Sequence, residues 1–412
     1  MNKSPRLVAL ETLYSIFYDG SYSNIALDKA LFDIKENKAF ISALVYGVTE
    51  RKITLDYFID KYAQGRIKPK VRIVLWLGAY QLLFMDKVPS SASINESVKL
   101  VKEIKQDYYS KLVNAVLHKI DNDRQIPDDL SVKYSVPENL INMWKKQYGE
   151  DVLNEFLPCI NDKPPLFAIP NKKFVNSDEL LYELECDGIL GEAYDEFVLI
   201  ENANDLTDSK VFKNGLFYIE DLSSFNCANA LDALADDLVL DMCSAPGGKA
   251  FTISQSMNNS GKIYCYDLHE HRLNLIKSSA KRLSIDNIFT DVNDATVYNE
   301  NIPKADKILC DVPCSGFGII RRKPEIRYKE LDSVKDLPQI QYKILETSSM
   351  YLKEGGRIIY STCTLNKKEN ENVVNKFLKD HSGYKLLKDK TVFPSTVGGD
   401  GFYYAIMVKN EN

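Results

Sequence analysis

The sequence predicts a multidomain protein with an all-α N-terminal domain, a small α/β middle domain and a C-terminal α/β domain built on a parallel sheet. At 412 residues the chain exceeds the usual size of one domain. Its first third repeats apolar residues at helical spacing, whereas short apolar runs alternate with helical stretches from residue 238 onward. We therefore predict domains at residues 1–125, 126–232 and 233–412.

The composition is typical of a folded protein in a reducing compartment. Hydrophobic residues make up 45% of the chain and charged residues 27%, which excludes the disordered class. There is no secretory signal pattern after Met1 and no apolar run of the ~18 residues that cross a bilayer. The eight cysteines include no Cys-x-x-Cys pair, and the four histidines have no metal-ligand spacing. We expect a cytoplasmic monomer without membrane contact or a metal.

The N-terminal domain is predicted to be helical. Leu7, Leu10 and Phe17 recur at helical spacing, as do the apolar residues of 73–84, and such stripes indicate a shared core. Residues 93–96, Ser-Ile-Asn-Glu, match a capping box and predict a helix start.

The middle of the chain is predicted to be a linker followed by a small α/β domain. Residues 121–137 are polar, contain two prolines and lack sustained periodicity, which is typical of a linker. Residues 135–138, Ser-Val-Pro-Glu, predict the start of a helix that holds Trp144. Residues 178–186 have a helical pattern, and residues 215–219 have the pattern of a strand.

The charge is distributed unevenly along the chain. The whole chain has a net charge of −6, yet residues 1–120 contain 18 Lys and Arg against 12 Asp and Glu. A positive N-terminal third is a candidate surface for phosphate groups. Lys-rich helix faces that are merely solvated are the alternative.

The C-terminal domain is predicted to be a parallel sheet with helices on both faces. Its strands are predicted at 238–240, 262–266, 288–290, 307–310 and 357–360. In such sheets ligands bind outside the carboxyl ends of the strands. The side chains expected to meet at that edge are Asp241, Asp267, Asp294, Asp311, Cys314 and Cys363.

A glycine turn directly after the first of these strands is predicted to hold a cofactor. It comprises Cys243, Ser244, Ala245, Pro246, Gly247, Gly248 and Lys249. It differs from a P-loop, which requires glycine at position 243 and serine or threonine at position 250. Its two glycines let backbone approach a ligand closely, and the free N–H groups of the following helix favour a carboxylate such as that of methionine.

Two acids after later strands complete the cofactor prediction. Asp267 lies 20 residues after Gly247, a spacing at which an acid accepts hydrogen bonds from ribose hydroxyls. Asp294 follows the third strand, where we expect it to reach an adenine amino group. For Asp294 the alternative is a loop acid that caps a helix.

Two cysteines at neighbouring strand ends indicate methyl transfer to carbon 5 of a cytosine. Cys314 stands in Asp-Val-Pro-Cys-Ser-Gly, and Cys363 stands in Tyr-Ser-Thr-Cys-Thr-Leu. Carbon 5 becomes nucleophilic only after a thiolate adds to carbon 6, and a second group then assists release of the product. The nucleophile needs a positive neighbour, for which Lys249 and Arg321 are candidates, and Asp311 is a candidate partner of a flipped base. These residues alone do not decide which thiol attacks, although the Pro-Cys pair favours Cys314.

At these motifs the chain resembles a known family. Residues 240–404 are similar to the catalytic domain of the Sun/NOP family of RNA cytosine-5 methyltransferases, through the glycine turn, both cysteine motifs and the closing Asp400-Gly401-Phe402-Tyr403. Residues 75–83 and 113–117 resemble the NusB-like RNA-binding domain. This pairing is typical of the RsmB type, which acts on small-subunit (16S) ribosomal RNA.

The resemblance implies a Rossmann-like class I methyltransferase domain that uses S-adenosyl-L-methionine, after a small ferredoxin- or RRM-like domain. It implies that Cys363 is the nucleophile, that Cys314 helps to release the product, and that ribosomal RNA of the small subunit is the partner. Asp311 and Lys249 are then further catalytic residues. Cofactor contacts are implied for residues 243–249 and for Asp267, Arg272, Asp294 and Asp311.

A basic segment after the Cys314 motif is a candidate contact with the RNA backbone. Its residues are Arg321, Arg322, Lys323 and Arg327. Phosphate contacts of this kind fix the register of a nucleic acid without reading its sequence. A solvated loop is the alternative.

The chain also departs from the family pattern at two places. Ile169-Pro170-Asn171 stands where the family has Arg-Val-Asn, so an RNA-contacting arginine is missing, and Glu220-Asp221 replaces the usual Gln-Asp. Two other function classes stay open: a non-catalytic RNA-binding or assembly factor, and a dinucleotide-dependent oxidoreductase. The same chemistry on another rRNA or tRNA cytosine is a further alternative.

Overall fold

The computed structural model describes residues 3–202, 206–395 and 398–411. The chain forms two compact units, whereas the sequence predicted three domains. The first unit comprises Met1–Asn161 and Ile320–Leu331, and the second comprises Asp162–Ile319 and Asp332–Asn412. The small α/β part belongs to the same compact unit as the C-terminal sheet. The domain boundaries at 125 and 232 lie within these units and stay predictions.

The first unit is helical, which confirms the predicted fold class. Ser4 caps the first helix by accepting a hydrogen bond from the backbone N–H of Leu7 at 3.2 Å. The fourth helix is buried along most of its length, including Trp76, because it is apolar on nearly all sides. The helices are α1 (Pro5–Tyr18), α2 (Ser23–Leu31), α3 (Lys38–Tyr62), α4 (Pro69–Phe84), α5 (Ser90–Glu103), α6 (Ser110–Asn122), α7 (Leu130–Tyr134), α8 (Glu138–Tyr148) and α9 (Glu150–Phe156).

Two glycines allow the close packing of this unit. A Cβ atom on Gly47 of α3 would lie 1.9 Å from the Tyr80 ring, and one on Gly78 of α4 would lie 2.6 Å from the Leu117 side chain. A larger residue at either position would push the helices apart, at the cost typical of an overpacked core.

Two local predictions in this unit are wrong. Ser93 does not begin a helix: α5 already starts at Ser90, after Pro89, and the buried Ser93 hydroxyl donates to the Gly78 carbonyl at 3.0 Å. The predicted linker at 121–137 contains the end of α6 and the short helix α7.

The predicted RNA contact of Arg327 is also wrong. The Arg327 side chain has no exposed surface. Its Nη1 donates to the carbonyls of Glu50 at 2.9 Å and Ser135 at 3.2 Å, and to Oδ1 of Asn161 at 2.9 Å. A guanidinium held in this way stabilises the helical unit, because these acceptors satisfy a charged group that has no exposed surface.

The neighbouring basic residues differ in exposure. Arg321 is 3% exposed, which contradicts its predicted contact with a phosphate. Arg322 and Lys323 are partly exposed, so their contacts with RNA stay a prediction.

The second unit begins with a small antiparallel sheet whose strand order is β2-β3-β1-β4. Asn176 and Glu179 form a capping box that opens the helix between its first two strands. The elements are β1 (Leu166–Pro170), α10 (Ser177–Cys186), β2 (Gly191–Ala193), β3 (Val198–Ile200), α11 (Lys210–Lys213), β4 (Phe217–Ile219) and α12 (Leu222–Asn229).

The small sheet shares a hydrophobic core with the large sheet that follows. Phe167, Ile169 and Tyr218 lie in one buried cluster with Phe251 and Ile263. Ile169, which stands where the family has arginine, is fully buried. In this chain that position serves packing, which explains why an apolar residue is suitable there.

The large sheet has the strand order β10-β11-β9-β8-β5-β6-β7. Strands β5 to β9 pair in parallel, as predicted, and β11 pairs antiparallel with both β9 and β10. The elements are β5 (Leu238–Asp241), α13 (Gly248–Ser256), β6 (Lys262–Asp267), α14 (Glu270–Arg282), β7 (Ile288–Val292), β8 (Ala305–Asp311), α15 (Leu337–Ser349), β9 (Leu352–Thr362), α16 (Glu371–Asp380), β10 (Tyr384–Val392) and β11 (Phe402–Lys409).

The Rossmann-like C-terminal domain is thus confirmed, with two strands that the sequence reasoning missed. The edge strand β10 is mostly exposed and rich in lysine, so it has no apolar run to recognise. Throughout the described residues, we find no helix long and apolar enough to cross a membrane.

We expect Arg327→Met to lower the free energy of unfolding of the helical unit by about 3 kcal/mol, because the hydrogen bonds of Arg327 to Glu50, Ser135 and Asn161 are lost. Hydrogen exchange of α3 and α8 measures this change. Lys323→Met, which removes a partly exposed charge from the same segment, should change the stability by less than about 1 kcal/mol. If Arg327→Met kept the stability of the parent protein but bound RNA more weakly, Arg327 would contact RNA as the sequence predicted.

Candidate active site

The site lies at the carboxyl ends of the central strands of the large sheet. Strand β5 pairs with β6 on one side and with β8 on the other, so the strand order reverses at β5. Asp241 ends β5, Asp311 ends β8, and Thr362 ends β9 directly before Cys363. A reversal of this kind opens a crevice in which ligands of α/β sheets bind.

The glycine turn joins β5 to α13 beside this crevice. Gly247 has φ = 106°, a left-handed conformation that glycine adopts without strain. A Cβ atom on Gly248 would lie 3.1 Å from Oε1 of Glu220, so a side chain there would crowd the crevice. The turn is held by the bond from the Ser244 N–H to the Tyr266 carbonyl at 2.8 Å.

A cavity of about 200 Å³ opens in front of the turn. Two buried polar atoms in its lining, Asp241 Oδ1 and Ser244 Oγ, have no hydrogen-bond partner among the described residues. Buried polar groups are otherwise paired, so these atoms fit a polar ligand in the cavity. The lining residues are Ile219, Glu220, Asp221, Ser224, Asp241, Cys243, Ser244, Ala245, Pro246, Gly248, Lys249 and Asp311.

Lys249 and Asp311 form an ion pair at one wall of the cavity. Lys249 Nζ lies 2.8 Å from Asp311 Oδ2 and 3.1 Å from Ser224 Oγ, while Ser361 Oγ donates to Asp311 Oδ1 at 2.8 Å. Burial opposes the charge of Lys249, but the carboxylates of Asp311 and Glu220 outweigh it and raise the pKa of the ammonium group. Lys249 therefore stays positively charged and orients the Asp311 carboxylate.

Glu220 is an acid whose place in the site the sequence reasoning missed, whereas Asp241 was expected at this edge of the sheet. Burial raises the pKa of each to about 7. Thr252 donates its hydroxyl to Glu220 Oε2 at 2.5 Å. Both carboxyls are therefore partly protonated near neutral pH, which lets them donate as well as accept hydrogen bonds. The position of Asp241, directly before the glycine turn, indicated its place in the site. The burial of Glu220 cannot be recognised from the residues around it in the sequence.

The structure brings the two predicted thiols together. Sγ of Cys314 lies 3.2 Å from Sγ of Cys363, and both side chains are half-buried. The hydrogen bond with Cys363, followed by burial, raises the pKa of the Cys314 thiol well above its usual value. Cys314 is thus held as a neutral thiol beside the sulfur of Cys363.

Backbone hydrogen bonds join the loop after β8, which contains Cys314, to the loop after β9, which contains Cys363. We call these the cysteine loops. The Val312 N–H donates to the Ser361 carbonyl at 3.0 Å, and the Gly318 N–H donates to the Cys363 carbonyl at 3.1 Å. A Cβ atom on Gly318 would lie 1.9 Å from the Gly401 carbonyl oxygen, so only glycine fits there.

Asp267 and Arg272 lie beside the glycine turn but outside the lining of the cavity. Arg272 Nη1 lies 2.9 Å from Oδ2 of the buried Asp267, and Arg272 Nη2 donates to the Ala245 carbonyl at 2.7 Å. The arginine therefore ties the end of β6 to the turn. Asp267 keeps oxygen lone pairs that could accept further donors.

Asp294 lies in a turn between β7 and β8 and does not cap a helix, which was the alternative that the sequence allowed. Its carboxylate is exposed and accepts hydrogen bonds from the N–H of Thr296 at 2.9 Å and from its hydroxyl at 2.6 Å. It closes a turn after β7, and its contact with an adenine stays a prediction. Among the described residues we find no cluster of metal-ligating side chains.

We expect the stability of Glu220→Gln to depend less on pH than that of the parent protein. The pKa of Glu220 rises from 4.5 to about 7 on folding. Its contribution to stability is therefore full below pH 4.5 and is lost as the pH rises through 7. At pH 8 the variant should be more stable by about 2 kcal/mol, with a smaller difference at pH 5, as measured by chemical denaturation.

The matched control for this substitution is Glu183→Gln, at an exposed position of α10. It should leave the dependence of stability on pH unchanged. A Glu220→Gln variant that is less stable than the parent at pH 8 would contradict the proposed cost of the buried charge.

Comparisons with known proteins cover nearly the whole chain. The family described as 16S rRNA methyltransferase RsmB/F matches residues 228–408, and the NusB family matches residues 3–122. The "Probable ribosomal RNA small subunit methyltransferase B" of Bacillus subtilis is 33% identical, over 98% of this chain and 99% of that protein. The "Ribosomal RNA small subunit methyltransferase B" of Photorhabdus laumondii is 28% identical, over 98% of each chain.

Solved structures of similar fold were also found. The crystal structure of PH0851 has a TM-score of 0.81 and 26% identity, and the match covers 99% of this chain and 100% of that one. A methyltransferase homolog protein from Pyrococcus horikoshii has a TM-score of 0.58 and 26% identity, covering 68% of this chain and 98% of that one. By its identity to full-length relatives, the chain belongs to the RsmB/F family of 16S rRNA methyltransferases, with an N-terminal domain of the NusB family.

Proposed function

We propose that this protein transfers a methyl group from S-adenosyl-L-methionine to carbon 5 of a cytosine in 16S ribosomal RNA, at the site modified by RsmB-type enzymes. A covalent bond between Cys363 and carbon 6 of the cytosine activates the base. The observation that carries the proposal is the pair of thiols, with their sulfur atoms 3.2 Å apart at the ends of the adjacent strands β8 and β9. The relatives named for rRNA methylation support the choice of substrate.

The crevice fits S-adenosylmethionine. The N–H groups at the start of α13 suit its carboxylate, and the unpartnered oxygens of Asp241 and Ser244 suit its amino group. Asp267, with Arg272 beside it, is the proposed acceptor for the ribose hydroxyls. When bound, the cofactor supplies an electrophilic methyl group.

The chemistry of the base requires a thiolate. Carbon 5 of cytosine is a weak nucleophile, and addition of sulfur to carbon 6 places electron density on it. Cys363 is the proposed nucleophile, and the Cys314 thiol, whose pKa is raised by its hydrogen bond with Cys363 and by burial, is the proposed neutral partner. This assignment agrees with the family resemblance and reverses the order that the Pro-Cys pair alone would favour.

Asp311 and Lys249 are proposed to position the base. Asp311 accepts from Lys249 and Ser361, which fixes its carboxylate at the end of β8 next to the Cys314 loop. A fixed carboxylate can accept a hydrogen bond from the exocyclic amine of the cytosine. The positive charge of Lys249, 2.8 Å from the carboxylate, offsets its negative charge near the attacking thiolate.

Cys314 is proposed to assist the last step. After the methyl transfer, the proton on carbon 5 passes to water and its electron pair restores the double bond between carbons 5 and 6. The bond from carbon 6 to Cys363 breaks, and the sulfur leaves as a thiolate. A neutral Cys314 thiol within hydrogen-bond distance stabilises that leaving group.

We expect Cys363→Ala to abolish methylation and Cys314→Ala to accumulate a covalent protein–RNA adduct. The first variant lacks the nucleophile, and the second lacks the thiol that assists release. Denaturing gel electrophoresis of each protein with unmodified 16S rRNA and S-adenosylmethionine measures the adduct. An adduct in Cys363→Ala alone would reverse the two roles, and residual methylation by this variant would contradict the nucleophile assignment.

Asp267→Ala should weaken the binding of S-adenosylmethionine by ~1 to 3 kcal/mol, since ribose hydroxyls lose a buried acceptor. Isothermal titration calorimetry measures the affinity. Asp291→Ala, at an exposed position of β7, is the matched control and should bind as the parent does. Equal affinities for all three proteins would remove Asp267 from the cofactor site.

A further inference from the structure

We propose that Glu369 is a positioning residue that holds Cys314 against Cys363, and that it acts on the release of the product rather than on the attack. This inference rests on the proposed function and adds a residue to it. Glu369 lies in the loop between β9 and α16, six residues after Cys363, and is fully buried. Burial of a carboxylate costs free energy unless hydrogen bonds satisfy its oxygens, so the partners of Glu369 indicate its role.

Four donors surround the Glu369 carboxylate. Oε1 accepts from the Ser315 hydroxyl at 2.5 Å and from the Asn366 amide at 2.8 Å. Oε2 accepts from the Ser315 backbone N–H at 2.8 Å and from the Gln341 amide at 2.9 Å. Every one of these partners is a donor, which is the arrangement that an ionised carboxylate satisfies and a neutral amide does not.

These bonds hold the backbone on both sides of Cys314. Ser315 follows Cys314 directly and donates twice to the carboxylate. The same Gln341 nitrogen that donates to Glu369 also donates to the carbonyl of Pro313, the residue before Cys314, at 2.9 Å. Glu369 therefore fixes the residue after Cys314 directly and the residue before it through Gln341.

The nucleophile depends much less on Glu369. Cys363 follows Thr362, the last residue of β9, which pairs with Tyr403 of β11. The Thr362 hydroxyl donates to Asn370 Oδ1 at 2.6 Å, and the Asn370 amide donates to the Thr364 carbonyl at 2.9 Å. The Ser315 hydroxyl also lies 2.7 Å from the Thr364 hydroxyl, so the network contacts this loop as well. Sheet pairing and Asn370 hold Cys363 without the carboxylate, so loss of the carboxylate should displace Cys314 first.

Glu369→Gln is the sharpest test, because it keeps the shape of the side chain. One end of the glutamine amide is an NH₂ group, which would face two donors and leave them without an acceptor. We expect kcat to fall about 10- to 100-fold, with little change in the KM for RNA, because a displacement of Cys314 impairs a step after binding. The covalent protein–RNA adduct should accumulate, as in Cys314→Ala.

Two further variants make the result specific. Glu371→Gln makes the same chemical change two positions later, outside this network, and should neither slow turnover nor trap the adduct. Ser315→Ala removes one of the four donors and leaves the carboxylate, so it should trap the adduct at an intermediate level. Thermal denaturation of each variant shows whether it is folded.

The outcomes separate this inference from the proposed function. If the parent protein turns over, Cys314→Ala traps the adduct and Glu369→Gln behaves as the parent does, the positioning role is wrong. If both Glu369→Gln and Ser315→Ala lose adduct formation together with thermal stability, Glu369 serves folding in general and the inference is also overturned. If the parent forms no methylated RNA and Cys314→Ala traps nothing, the proposed function itself fails.

Discussion

The parallel pairing of β8 with β9 is the constraint on which the rest of the site depends. It sets Asp311 opposite Ser361, and it directs the two loops that follow along the same edge of the sheet. The sulfur atoms of Cys314 and Cys363 meet there although 48 residues separate them in the sequence. Strand β11 continues the sheet beyond β9 and pairs with Thr362, the residue before the proposed nucleophile Cys363. The chemistry thus depends on strand register, which the buried apolar faces of the sheet determine.

The charged groups that line the crevice influence one another. Lys249 balances Asp311 and Glu220, and the pKa of both Glu220 and Asp241 is raised to about 7 by burial. The hydrogen bond between the two thiols, together with burial, raises the pKa of Cys314 and favours its neutral form. We propose that the ion pair of Lys249 and Asp311 orients the base, and that the protonated thiol of Cys314 assists the departure of Cys363. Groups of the same type receive different roles from their surroundings.

The features that the sequence predicted are those that short stretches of sequence determine. The glycine turn, the strands before it and the cysteine motifs are short segments whose spacing reflects backbone geometry, and the structure contains them. Glu369 was missed because its partners come from residues 313–315, 341 and 366, a contact set that one sequence does not reveal. Arg327 was misread for the complementary reason: its charge suggested solvent, whereas the acceptors that bury it come from distant helices of its unit.

The most direct test of the mechanism is to identify the cysteine that bonds to the base. The parent protein is incubated with S-adenosylmethionine and 16S rRNA that contains 5-fluorocytidine. Carbon 5 then carries fluorine in place of the proton that must leave, and fluorine cannot leave as a cation, so the covalent bond to the cysteine persists. Peptide mass spectrometry of the adduct after digestion locates the modified residue. A cytidine-derived mass on the peptide that contains Cys363 is the predicted result. The same mass on the Cys314 peptide, or methylation of unsubstituted rRNA without any trapped adduct, would contradict the account.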